Sequence, residues 1–152
     1  ETVGTFDDVI CIAGEASWGS FQEMSEGDFY VGIRSKMMGQ VNLVRIGQEF
    51  IKPNGSFTLT TGILGDHPVP KTTSAAMVNG AINSFVKAAA LELKDGQRIN
   101  SISCGLVEDS SDKYKEFFPG HNAISMNRVV NGYIRSLDGG GTGQIINIYD
   151  DH

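Results

Sequence analysis

Ser56-Phe57-Thr58-Leu59-Thr60-Thr61, then Thr73-Ser74-Ala75-Ala76-Met77-Val78-Asn79-Gly80-Ala81-Ile82-Asn83-Ser84-Phe85-Val86-Lys87-Ala88-Ala89-Ala90-Leu91-Glu92-Leu93, then Arg98-Ile99-Asn100-Ser101-Ile102-Ser103-Cys104-Gly105 make up the stretch that decides the fold. The first and third pieces are short and rich in residues that suit a strand. The middle piece is long and rich in alanine, the strongest helix former, and Asp95-Gly96 supplies its stop. Outward from it the alternation continues: strand 8–13, loop 14–24, helix 26–50, strand 56–61, loop 62–72, helix 73–94, strand 98–103, loop 104–123, helix 124–138 and strand 144–149. Ser25 and Asp28 have the spacing of a capping box opening the first long helix. Strands alternating with helices predict an α/β fold, a three-layer α/β/α domain with a mostly parallel sheet. Right-handed crossovers would set its four strands in sequential order. The 152 residues suffice for one domain, 1–152.

The helix wording Val78 to Leu93 and the following Arg98 to Ser103 resemble the short-chain dehydrogenase/reductase family, and the likeness covers nearly the whole chain. It implies a Rossmann-like fold and a Tyr-x-x-x-Lys pair, whose four-residue spacing sets a phenol and an ammonium on one helix face for acid/base work. Here Ala75 stands at the tyrosine position and Asn79 at the lysine position, and none of Tyr30, Tyr114, Tyr133 or Tyr149 has a lysine four residues later. The family serine corresponds to Thr60, Thr61 or Gly62. The Asn-Asn-Ala-Gly after the fourth family strand reads Cys11-Ile12-Ala13-Gly14, and the asparagine of the next helix falls on Lys36 before Gly39. Cys104-Gly105 replaces a Pro-Gly turn. Ala13, Gly14 and Gly105 thus keep the small residues that let backbone approach a cofactor, while the departures cluster where catalysis belongs.

No Gly-rich pyrophosphate turn follows an opening strand here, so the N-terminal strands of the family fold are expected to be missing. The chain is expected to be a fragment or processed product of a longer parent, with a natural minimal form as the alternative. No cofactor is expected for this chain alone, and NADP or NAD if the nucleotide segment is supplied. Val9 to Ala13 would then be a bare sheet edge, expected to pair with another segment or a second chain. In the family the two long helices build a four-helix dimer interface, and the small residues Gly32, Gly39, Gly47, Ala76, Gly80 and Ala81 suit close packing, so a homodimer is expected.

With 12 basic and 18 acidic residues the net charge is −6, which speaks against a nucleic-acid partner. No apolar run is long enough to span a bilayer and no signal peptide is present, giving a cytoplasmic expectation without membrane contact. Cys11 and Cys104 fall on strand ends about 10 Å apart by strand spacing, beyond disulfide reach, and read as free thiols. Three histidines without ligand spacing predict no metal site. The glycine-rich run at 139–143 follows a helix and precedes a strand, the reverse of a phosphate loop, and reads as a flexible turn.

Open α/β sheets bind ligands beyond the carboxyl ends of their strands. The loops there carry candidate substrate-binding residues Trp18, Asp66, Tyr114 and Phe118, small residues Ala13, Gly14 and Gly105, and candidate catalytic groups Thr61, Lys36 and His67. Each catalytic candidate has a plain alternative: a satisfied strand threonine, a solvent-facing lysine, an exposed loop histidine. The expected function is a divergent enzyme of this family acting on a small, mostly apolar organic molecule, either by redox chemistry that depends on the missing nucleotide segment and a substitute proton donor such as Lys36 or His67, or by non-redox isomerisation, dehydration or cyclisation. The rival is a non-catalytic binding or assembly protein that kept the scaffold.

Overall fold

The computed structural model describes residues 4–149. Its four strands, β1 (Phe6–Ile10), β2 (Ile51–Gly62), β3 (Arg98–Cys104) and β4 (Ile145–Ile148), form one parallel sheet in sequential order. The helices are α1 (Glu26–Gly32) and α2 (Met38–Gly47), joined without a break by a π-helical turn (Ile33–Met37), then α3 (Thr73–Ala89), the short α4 (Ser111–Tyr114) and α5 (Met126–Asp138). The three-layer reading therefore holds for the described residues. Ser25 caps α1, its hydroxyl accepting from the Asp28 N–H while the Asp28 carboxylate accepts from the Ser25 N–H. α3 ends at Ala89, short of the expected stop, and Asp95 and Gly96, both in left-handed backbone, instead turn the chain into β3.

Strand alternation sorts the core into two seams. Phe57, Leu59 and Ile99 pack with Val44 of α2 and with Ile82 and Val86 of α3. Ile102 of the opposite face joins Ile124, Ile146 and Ile148 beneath α5. Since α5 lies across the sheet from α2 and α3 while the strand order keeps its direction, the third crossover has the opposite hand to the first two. This departs from a uniform right-handed rule. The physical reason is the twenty-odd residues between β3 and α5, which turn back over the strand ends through the Val107↔Ile124 bridge and let α5 reach the far face.

The far face is sewn by polar side chains. The Asn100 carboxamide accepts from Gln144 N–H (3.0 Å) and donates to Gly141 C=O (3.0 Å) and Ser136 Oγ (3.2 Å), and Ser136 Oγ meets Thr58 Oγ1 at 2.7 Å. Arg98 caps the C-terminus of α5 by donating to the Ser136 and Leu137 carbonyls. Gly143 N–H donates to Ile99 C=O, and Thr142 Oγ1 accepts from Ile99 N–H. The 139–143 run is thus a tethered turn, not a flexible one, because β3 and Asn100 hold it at several points.

β1 is shorter than its apolar run predicts and begins earlier, since its ladder ends at Ile10 opposite Thr58, with one further bond from Cys11 N–H to Thr58 C=O. Ile10 and Ile12 stand exposed, so only one face of this edge strand is covered. Cys11 and Cys104 are free thiols. Among the described residues no helix is long and apolar enough to cross a membrane, and no cluster of side chains suits a metal ion.

Candidate active site

The carboxyl ends of β1, β2 and β3 open into a cleft of about 530 Å³, within the range of small-molecule sites. Its walls include Ile12, Trp18, Lys36, Thr61, Gly62, Ala75, Asn79, Cys104, Gly105, Leu106, Tyr114 and Phe118. Ala75 and Asn79 lie one turn apart on α3, both buried, and face the cleft together. Neither can exchange a proton near neutral pH, so the wall that carries acid/base groups in the family is chemically silent here.

Lys36 comes from the opposite wall. It sits in the π-helical turn, a local widening that redirects side chains and recurs at functional sites. Gly14, at φ 109°, lies so close that a side chain there would meet Lys36 Cα at 2.6 Å. The loop after β1 therefore rests on the backbone of the lysine, and only glycine fits both the conformation and the space. Burial pushes the Lys36 ammonium below its ordinary pKa, partly opposed by the neighbouring Cys104 thiol. The ion pairs of the described residues, Lys52–Asp7 and Lys115–Asp112, leave Lys36 without a carboxylate.

Burial also pushes the Cys104 thiol up to about 11, with Lys36 pulling the other way. Its folded pKa lies above its ordinary 9.0, so the native state holds the proton that the unfolded chain releases. The stability linked to this thiol is complete below pH 9 and is lost as pH rises toward 11. The full loss is about 2–3 kcal/mol at ~1.4 kcal/mol per pKa unit. Urea melts at pH 8 and pH 10.5 should show a smaller pH-dependent loss in Cys104→Ala; equal losses in both proteins would exclude this linkage.

The other predicted residues divide into two groups. Trp18, Tyr114 and Phe118 line the cleft, with Trp18 packed against Tyr114 and Phe117 at ring distances of 5.5 Å each. Thr61 also lines it, but its hydroxyl donates to Asn83 Oδ1 (3.0 Å) in the buried seam between β2 and α3. It is placed as a satisfied strand residue whose proton is already committed. His67 and Asp66 are not part of the cleft wall. The loop turns them toward the C-terminal end of β4, where the His67 ring meets Tyr149 edge-on at 5.8 Å and the Tyr149 hydroxyl donates to Asp66 Oδ2 (2.7 Å). Tyr149 also contacts Ser103 Oγ at 2.8 Å, and burial raises its pKa.

Sequence reasoning placed Lys36 and the aromatic wall at this end of the sheet but missed three cleft features. Asn79 was read only as a lost lysine, although its four-residue spacing from Ala75 shows that both share one face. Cys104 was read as a turn residue. Ile12 was read as part of strand 8–13, whereas it lies beyond β1 and forms an exposed part of the rim.

For a nicotinamide dinucleotide the residues present are a poor match. The space beside Gly14 is taken by Lys36, and a side chain at Gly105 would meet Ile124 at 3.1 Å, so both glycines serve the protein's own packing. Ala13 is exposed and offers only a methyl group. Ala75 and Asn79, at the two proton-transfer positions, carry no group that could supply the proton accompanying a hydride transfer.

The family described as enoyl-(acyl carrier protein) reductase matches residues 1–142. No curated protein matches the sequence. Among solved structures, a protein from Listeria innocua is 38% identical with a TM-score of 0.94, the alignment covering 96% of this chain and 73% of that one. A small-chain dehydrogenase solved in complex with NADPH is 26% identical, with a TM-score of 0.86 and coverage of 96% and 73%. The NADH-dependent enoyl-(acyl carrier protein) reductase of Aquifex aeolicus shares the fold at 18% identity, with a TM-score of 0.81 and coverage of 97% and 63%. By its family match and by the geometry of its sheet and helices, this chain belongs to the short-chain dehydrogenase/reductase family.

Proposed function

We propose that the chain is a divergent enzyme that holds a small, mostly apolar organic molecule in the cleft and acts on it through Lys36. The observation that carries this reading is the exchange of roles between the walls: Ala75 and Asn79 are inert, while Lys36 brings the cleft a half-buried ammonium with no carboxylate partner among the described residues. A lysine desolvated in this way has an ammonium more ready to give up its proton than an exposed one, and its neutral amine can take one back. The chemistry best served is non-redox: isomerisation, dehydration or cyclisation of a carbonyl compound by positioning and one acid/base group. Relatives bind nicotinamide dinucleotides, but here that use depends on a nucleotide-holding segment supplied in addition to these residues.

The test is proton exchange. Incubated in D₂O with a panel of small ketones and enones, the protein is expected to speed deuterium uptake next to the carbonyl, followed by NMR. Lys36→Met should lower the rate about 10²-fold or more, the usual worth of a positioned acid/base group. Absence of exchange with every compound, together with unchanged biological activity of Lys36→Met, would leave the non-catalytic assembly protein as the better reading.

We further propose a homodimer through the outer faces of α2 and α3. Met38, Ile46, Met77 and Leu91 are exposed there, and nothing lies above Gly39 or Gly80. Light scattering should give twice the chain mass, and Gly80→Arg should return a monomer. The bare edge of β1 is open to pairing with a further strand in the same way.

A further inference from the structure

The polar groups left unused in the cleft are few and of definite kind. Among the described residues no aspartate or glutamate lines it. Thr61 Oγ1 is spent on Asn83, and Ser110 Oγ donates to the Val107 carbonyl (3.2 Å). What remains beside the Cys104 thiol is the Lys36 ammonium on one wall, the Asn79 carboxamide on the other, and the Tyr114 hydroxyl and Trp18 ring N–H of the aromatic wall. Asn79 is 2% exposed, and its carboxamide oxygen has no hydrogen-bond partner among the described residues. A buried acceptor left empty costs about 1–3 kcal/mol, and a half-buried cation without a counter-ion adds to that. The two costs arise on different helices and meet in one cavity whose other walls are Ile12, Trp18, Leu106 and Phe118.

We propose that the ligand of this cleft is an organic acid bearing a hydrogen-bond donor: its carboxylate pairs with Lys36, its hydroxyl or N–H donates to Asn79 Oδ1, and its apolar body lies against the aromatic wall. This assignment rests on the reading of the cleft as a small-molecule site and adds the class of molecule. One ammonium with no second cation on the cleft wall among the described residues matches a single negative charge. An acid without a donor would leave Asn79 Oδ1 empty.

The protein has one tryptophan and it lines the cleft, so Trp18 fluorescence reports binding directly. The probes are 3-phenylpropanoate, its amide, and 3-hydroxy-3-phenylpropanoate, titrated into the wild type, Lys36→Met and Asn79→Leu, with melting temperature confirming that each variant is folded. In the wild type the acid is expected to bind at least 10-fold more tightly than the amide, and the hydroxy acid several-fold more tightly again. Lys36→Met should abolish the acid-over-amide preference. Asn79→Leu should abolish only the gain from the hydroxyl, without lowering the melting temperature, because it removes an unpaired buried oxygen. Equal binding of acid and amide to the wild type overturns the proposal while the small-molecule reading stands. A charge preference that survives Lys36→Met overturns it as well, and failure of all three probes to bind overturns both.

Discussion

Replacing Gln40 with alanine is expected to lower the stability of the chain by about 4 kcal/mol, from two orphaned backbone groups at ~1–3 kcal/mol each and a small cavity. Gln40 is 1% exposed, and its carboxamide accepts from the Thr60 N–H and donates to the Thr60 C=O, both at 2.9 Å. Thr58 C=O, two residues earlier, faces β1 and accepts from Cys11 N–H, so the Thr60 backbone faces the same side, where β1 has ended. The glutamine amide takes the place of a strand peptide and lets β2 run on to the cleft without a bare backbone edge. For a domain of this size the loss should appear as a melting temperature lowered by roughly 8–15 °C. A decrease below about 1 kcal/mol in urea melts would mean that the Thr60 backbone finds other partners, and this account of Gln40 would fail.

Asn100→Ala should cost about 3 kcal/mol and act locally as well as globally. The side chain holds Gln144 N–H, Gly141 C=O and Ser136 Oγ at once, tying the 139–143 turn, α5 and β3 into one unit. Alanine leaves the Gln144 N–H without its partner and the Gly141 carbonyl with only a 3.4 Å contact to Arg98, while Ser136 Oγ keeps Thr58 Oγ1. Hydrogen exchange should therefore speed up at the Gln144 amide and at the start of β4 more than in β2. A uniform change across the sheet would show that Asn100 adds to general stability but does not tether the turn. Asn100→Asp is expected to keep the Gln144 bond, lose both donor bonds and be at least as destabilised, because it buries a carboxylate next to the Gly141 carbonyl.

The site was partly legible before any coordinates. A helix four-residue repeat and a family resemblance were enough to show Ala75 and Asn79 sharing a face and to bring Lys36 and Trp18 toward one end of the sheet. The status of each side chain was not legible. Thr61 and Lys36 look equally eligible in a string of letters; one is bonded to Asn83 and the other is not. His67 and Asp66 belong to a loop whose path depends on a contact with Tyr149, some eighty residues away in sequence.

Local chemistry therefore determined the elements of this protein: β-branched runs for strands, an alanine-rich stretch for α3, a Ser25/Asp28 box to open α1 and Asp95-Gly96 to turn the chain into β3. Those features act over a turn or a few residues, so the sequence carries them whole. The opposite hand of the last crossover, the tethered glycine turn, the glutamine that completes β2, and the meeting of an uncompensated ammonium with an unpaired carboxamide oxygen were decided only by the tertiary structure. Each depends on groups far apart along the chain, whose burial and partners exist only once the layers have packed.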